Sequence, residues 1–90
     1  MVGFTKLYVG NLSYDTTEWD LLNAFLPLGK VKAAHLNVSK ETGFSTGYGF
    51  VEFFDPVECE RARDLMDGAE LGHRAIRVNA AIEKPRKRAS

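Results

Sequence analysis

One cysteine in ninety residues leaves this chain no internal disulfide partner. A disulfide framework is excluded, and a single unpaired thiol suits a reducing compartment. Long apolar runs are missing as well, and nothing approaches the roughly twenty residues of a membrane-spanning helix. The N-terminus lacks the layout of a signal peptide, so no membrane partner is expected. The two histidines, His35 and His73, have no cysteine or acid arranged with them as nucleophile and base. No metal-ligand spacing occurs. Gly47-Tyr48-Gly49 lacks the third glycine and following helix of a phosphate-cradling loop. The expectation is a chain without catalytic residues, metal or cofactor, hence not an enzyme.

Net charge is also lacking, with twelve acidic against twelve basic residues. The balance is uneven along the chain. Lys84, Arg86, Lys87 and Arg88 crowd the end, so residues 1–83 carry eight basic groups against all twelve acids. An acidic body with a short basic tail argues against a binder that works by charge alone. A hydrophobic content of 44% and a charged content of 27% fit an ordinary soluble domain. Ninety residues make one such domain with a modest core.

What the chain does have is pattern. Residues 6–11 alternate as a strand. Thr17 is a helix N-cap with Asp20 three residues on, a capping-box arrangement. The helix runs to about Leu26, with Leu21, Ala24, Phe25 and Leu28 toward the core, and Pro27 and Gly29 end it. Residues 31–38 form a second strand with Val31, Ala34, Leu36 and Val38 inward and Ala33, His35 and Asn37 outward. Ser39 to Ser45 is a polar loop turned by Gly43, followed by a strand at about 47–54. Asp55-Pro56 opens a second helix, whose stripe is Cys59, Ala62 and Met66 with Leu65 beside it, and Gly68 ends it. Cys59 therefore reads as a buried structural thiol. A last strand spans 75–80, with Ile76 and Val78 inward and Arg77 and Asn79 outward. The order is βαββαβ, the split pattern of an α+β ferredoxin-like sandwich.

Two stretches stand apart, Leu7-Tyr8-Val9-Gly10-Asn11-Leu12 and Gly47-Tyr48-Gly49-Phe50-Val51-Glu52-Phe53. Side chains alternate faces along a strand. With Leu7, Val9, Val51 and Phe53 in the core, Lys6, Tyr8, Tyr48 and Phe50 face outward. Three rings on an open sheet face need a reason, and stacking of nucleic-acid bases is one.

These stretches carry a resemblance to the RNA recognition motif family. Thr46 to Phe53 matches the family octamer at every position but the first, and Leu7 to Leu12 matches its hexamer. The resemblance covers about residues 5–82. It divides the chain into a domain, 1–82, and a basic C-terminal tail or linker, 83–90. It implies a four-stranded antiparallel sheet with two helices on one face and the other face open. It further implies that Tyr8 and Phe50 stack successive bases of single-stranded RNA and that Tyr48 packs on the sugars between them. Single-stranded DNA is a second ligand that stacking admits, because stacking is indifferent to the sugar.

Thr46 departs from the family, which carries lysine or arginine there. That removes one phosphate contact, and Lys6 is the candidate substitute. Asn11, at the end of the hexamer, joins the expected RNA-binding set. His35, Asn37, Arg77 and Asn79 share the aromatic face and are candidate readers of base edges; a solvated face is the plain alternative. Asn79, Ala80 and Ala81 fall where the family contacts bases through main-chain groups. Phe44, in the loop before the octamer, either clasps RNA or packs on its loop. Lys84 to Arg88 reads as a phosphate-binding extension, an import-like patch or a linker. Trp19 aligns with Leu22 and Leu26 rather than with the core stripe, and marks a candidate protein-binding surface on the first helix. The competing functional class is thus a protein-interaction module, with the sheet or the Trp19 helix face covered by a partner. RNA processing is the expected setting. The compartment is intracellular, with the nucleus placed ahead of the cytoplasm.

Overall fold

Caps and turn residues set the element boundaries in the computed structural model, which describes residues 4–81. The elements are β1 (Lys6–Gly10), α1 (Glu18–Phe25), β2 (Val31–Val38), β3 (Ser45–Phe53), α2 (Pro56–Met66), β4 (Glu70–Leu71), β5 (Arg74–Ala75) and β6 (Arg77–Ala80). A short 3-10 turn, Leu26–Leu28, follows α1.

Thr17 and Asp20 form the expected capping box. Thr17 Oγ1 accepts from the Asp20 N–H and the Asp20 carboxylate accepts from the Thr17 N–H, both at 3.1 Å. Two N–H groups that α1 cannot satisfy internally are thereby paired. Asp55 caps α2 by accepting from the Val57 N–H at 3.0 Å, with Pro56 in the first turn, where its missing N–H costs nothing.

The four long strands form an antiparallel sheet in the order β2-β3-β1-β6. The two motif strands are therefore its centre. The core is Leu7, Val9, Val51, Phe53 and Val78 from the sheet, Leu21 and Phe25 from α1, and Cys59 and Ala62 from α2, closed by Leu12 and Ile76. Both helices thus cover one face. Phe25 and Phe53 meet edge to face across the layers, with centroids 6.3 Å apart. Gly49 of β3 lies close against the backbone of β2: a Cβ there would run into the His35 carbonyl oxygen.

Each edge strand is met by a carboxylate from the end of a helix, Glu18 in the first turn of α1 and Asp67 just after α2. Glu18 accepts from the Leu36 N–H of β2 at 2.9 Å, and Asp67 accepts from the Val78 N–H of β6 at 2.9 Å. An edge N–H capped this way is withdrawn from pairing with another chain's strand.

The structure corrects several boundaries. Asn11 adopts φ of +57°, so β1 ends at Gly10 rather than at residue 11. Val38, expected in the core, is 47% exposed. A register irregularity between Leu36 and Val38 breaks the alternation that placed it inward, and Val38 pairs with Ser45 at the far end of the sheet. That pairing also starts β3 two residues early. Leu65 is exposed rather than beside the core. The final strand divides: Arg74–Ala75 pairs with Glu70–Leu71 in a separate hairpin, and β6 begins only at Arg77. The basic run Lys84 to Arg88 lies outside the described residues.

Candidate nucleic-acid interface

The register of the three strand pairings builds the candidate site. His35 of β2 is opposite Phe50, Phe50 is opposite Tyr8, and Tyr8 is opposite Asn79. One row of side chains therefore crosses all four strands on the face away from the helices. Tyr48 lies two residues before Phe50 and shares its face. The three rings touch one another: Tyr8–Tyr48 at 5.5 Å, Tyr8–Phe50 at 5.9 Å and Tyr48–Phe50 at 6.0 Å between centroids. All three are half-buried. They form a ring cluster open on one side, at the tilted and edge-to-face angles that aromatic quadrupoles favour.

Charge around the cluster is mixed. Lys6 Nζ is 5.5 Å from the Phe50 centroid, within cation–π reach. Lys6 is also directly opposite Glu52 across the β1–β3 pair. His35 Nδ1 is 3.5 Å from the Glu18 carboxylate, and Arg77 Nε is 3.8 Å from that of Asp67. The two outer positions of the face thus lean toward the carboxylates that cap the sheet edges. Asn37 and Thr46 engage each other: Asn37 Nδ2 donates to Thr46 Oγ1 at 2.8 Å, and that hydroxyl donates to the Asn37 carbonyl at 3.2 Å. Thr46 is turned toward β2. The Ala81 N–H donates to the Lys6 carbonyl at 2.8 Å, which fixes the chain beyond β6 along β1.

Asn11 has a structural task that the sequence did not reveal. Its Nδ2 donates to the Ala75 carbonyl at 2.8 Å, and its Oδ1 accepts from Arg74 Nη2 at 2.8 Å. It therefore ties the end of β1 to the β4–β5 hairpin. Arg74 and Tyr14 are the two residues here that sequence reasoning missed. Tyr14 is 72% exposed. The signal for Arg74 was weak, because the hairpin that positions it has only two residues in each strand.

Trp19 is 68% exposed and Leu26 45%. With Leu22, Val31 and Ala34 they line a groove of about 580 Å³ between α1 and the β2 edge. Phe44 is 72% exposed in its loop.

Comparison with known proteins decides the family. The model of the RNA recognition motif matches residues 7–77. The chain belongs to the RNA recognition motif family. As a member it is a binding module, not an enzyme. It is 46% identical over 81 residues to the mitochondrial glycine-rich RNA-binding protein 2 of Arabidopsis thaliana, covering 90% of this chain and 51% of that protein. It is 45% identical over 85 residues to the putative RNA-binding protein RbpA of Synechocystis, covering 94% of this chain and 82% of that one. Among solved structures, the Sex-lethal protein in a protein–RNA complex superimposes with a TM-score of 0.84 at 27% identity, covering 90% of this chain and 48% of that one. The chain spans about half the length of the Arabidopsis relative. That relative is named as mitochondrial, so the placing of the nucleus ahead finds no support in it.

No described helix is long and apolar enough to cross a membrane. Among the described residues, no group of three His, Cys, Asp or Glu side chains is placed to hold a metal. Cys59 is fully buried, and loss of hydration is the main cause that pushes its thiol up to about 11, with Arg63 opposing and Glu52 adding. The thiolate is the reactive form. Folded protein at pH 8 should resist iodoacetamide, and protein in denaturant should alkylate; alkylation at equal rates in both would contradict the burial. The sign for stability follows. A raised folded pKa favours the folded state below the ordinary value of 9.0, and that contribution is lost as pH rises through about 11.

Proposed function

We propose that this domain binds single-stranded RNA on its open sheet face, in the service of RNA processing or metabolism. The observation that carries the reading is the mutually touching, half-exposed cluster of Tyr8, Tyr48 and Phe50 on the face opposite both helices. Tyr8 and Phe50 stack bases and Tyr48 packs on sugars. Lys6, His35, Asn37, Arg77, Asn79 and the chain at Ala81 tune which bases are preferred. Two stacks at about 1–3 kcal/mol each support weak to moderate binding over about two to four nucleotides. Single-stranded DNA binds by the same stacks, and contacts to the 2′-hydroxyl set the discrimination. The names of the relatives, RNA-binding proteins from a plant and a cyanobacterium, support the ligand class.

A second reading is favoured by one observation, the apolar groove beside Trp19 and Leu26. Under it, a protein partner docks at α1. One titration separates the two. Amide NMR spectra are followed while a pool of short random single-stranded RNAs is added. Shifts centred on Tyr8, Tyr48, Phe50 and Asn79 are the expected result. An unperturbed sheet at high RNA concentration would overturn the RNA reading and direct attention to the α1 groove.

A further inference from the structure

Beside the aromatic cluster, at the end of β1, the surface dips into a hollow of about 260 Å³. Its walls include Tyr8, Tyr14, Thr46, Tyr48 and Arg74. Two of these carry chemistry that the folded domain leaves unspent.

Arg74 is one. Its Nε donates to the Asn11 carbonyl at 3.3 Å and its Nη2 to Asn11 Oδ1 at 2.8 Å. Both partners are neutral oxygens. No carboxylate among the described residues pairs with it, in contrast to Arg63 and Arg77. The guanidinium is oriented but its charge is uncompensated. Its orientation is itself secured, because Asn11 is held by its bond to the Ala75 carbonyl. A fixed, planar cation of this kind matches phosphate geometry.

Tyr14 is the other. Its ring lies against Gly47, where a Cβ would come within 3.3 Å of it. Gly47 has φ of +95°, a conformation that glycine adopts freely and other residues rarely. The Leu12 N–H donates to the Gly47 carbonyl at 2.9 Å, which fastens the β1–α1 loop to β3. One edge of the ring is thus supported by backbone, yet the side chain is 72% exposed. A supported, solvent-facing ring next to a base-stacking cluster is itself a stacking surface.

We propose that this hollow is a further nucleotide subsite, in which Arg74 binds a backbone phosphate and Tyr14 stacks the adjoining base. It rests on the RNA-binding reading and extends the footprint by one nucleotide beyond the Tyr8–Phe50 platform. It also supplies the cation that Thr46 does not. Thr46 lines the same hollow and its hydroxyl is engaged with Asn37.

The test is fluorescence anisotropy with labelled random-sequence RNA dinucleotides and hexamers across a salt series. The proteins are wild type, Tyr14→Ala, Arg74→Gln, Arg74→Lys and Phe50→Ala, each first shown to be folded by its amide NMR spectrum. Wild type should bind hexamers more tightly than dinucleotides. Tyr14→Ala should lose roughly five- to 150-fold on hexamers, the equivalent of one stack, and little on dinucleotides, which the Tyr8–Phe50 platform alone accommodates. Arg74→Gln should weaken hexamer binding and make the plot of log affinity against log salt shallower by about 0.7, the value of one phosphate contact on a single strand. Arg74→Lys should restore that slope.

Hexamer binding unchanged in Tyr14→Ala and Arg74→Gln, with binding lost in Phe50→Ala, would overturn the subsite and leave the platform standing. Weaker binding by Arg74→Gln with an unchanged salt slope would make the arginine a support for Asn11 and overturn its phosphate role. Absence of wild-type binding to either length would overturn the subsite and the RNA reading together.

Discussion

Phe50→Ala should reduce affinity for single-stranded RNA roughly five- to 150-fold while the domain stays folded. One base stack is worth about 1–3 kcal/mol by alanine substitution, and Phe50 is central to the row from His35 to Asn79. Its removal also takes two ring contacts from Tyr8 and Tyr48 and the cation–π contact from Lys6. Those contacts stabilise the folded state by about 0.5–1.5 kcal/mol for each ring pair and about 0.5–1 kcal/mol for the exposed cation. That loss is tolerable for a domain of ordinary stability. The binding loss should be nearly the same at low and high salt, because stacking releases no counterions and only phosphate contacts set the salt slope. Isothermal titration at two salt concentrations, with a thermal melt of each protein, measures both effects. Equal affinity of mutant and wild type would remove Phe50 from the site. A loss that shrinks as salt rises would mean that the ring acts by positioning Lys6. Phe50→Tyr should retain most of the binding, since it keeps the stacking face.

The residues that were legible in advance and those that were not differ in a physical way. Alternation along β1 and β3 placed Tyr8, Tyr48 and Phe50 on one face and Leu7, Val9, Val51 and Phe53 on the other, because strand periodicity is fixed by backbone geometry. Thr17 and Asp55 announced their helices because capping is local chemistry. Val38 was misplaced because a register irregularity in β2 has no sequence signature in a stretch already apolar and polar by turns. Asn11, at the end of the hexamer, reads in the sequence as one of the RNA-binding residues. Its positive φ and its bonds to Ala75 and Arg74, 64 and 63 residues away, exist only once the hairpin has folded against β1. Tyr14 and Arg74 were missed for the same reason. Tyr14 lies in a loop and Arg74 in a strand of two residues, too short to show a period, and long-range contact is what brings them to one hollow. Glu18 and Asp67 likewise gain their task only in the folded chain, where each caps an edge strand. Here local pattern fixed the platform, and tertiary contact fixed its rim.

Phe25→Ala should do the opposite of Phe50→Ala: cost the fold about 3–5 kcal/mol and leave the chemistry of the open face untouched. Phe25 is fully buried on α1 and meets Phe53 of β3 edge to face at 6.3 Å. Truncation loses the transfer energy of the ring, leaves a cavity between helix and sheet, and breaks the aromatic pair. Helix α1 has only eight residues, too few to be stable alone, so it depends on this packing. A domain of this size has about 5–13 kcal/mol in total, so the loss removes a large part of its stability. Each kcal/mol shifts the melting temperature by about 4–8 °C, which puts the expected fall above about 12 °C. Urea unfolding followed by far-ultraviolet circular dichroism gives the free-energy difference directly. At a temperature where the variant is still folded, its RNA affinity should be within about twofold of wild type, because Phe53 and Phe50 point to opposite faces of β3. A melting temperature within a few degrees of wild type would mean that α1 is not anchored through Phe25. A normal melt with lost binding would mean that the helix, rather than the sheet, meets the RNA.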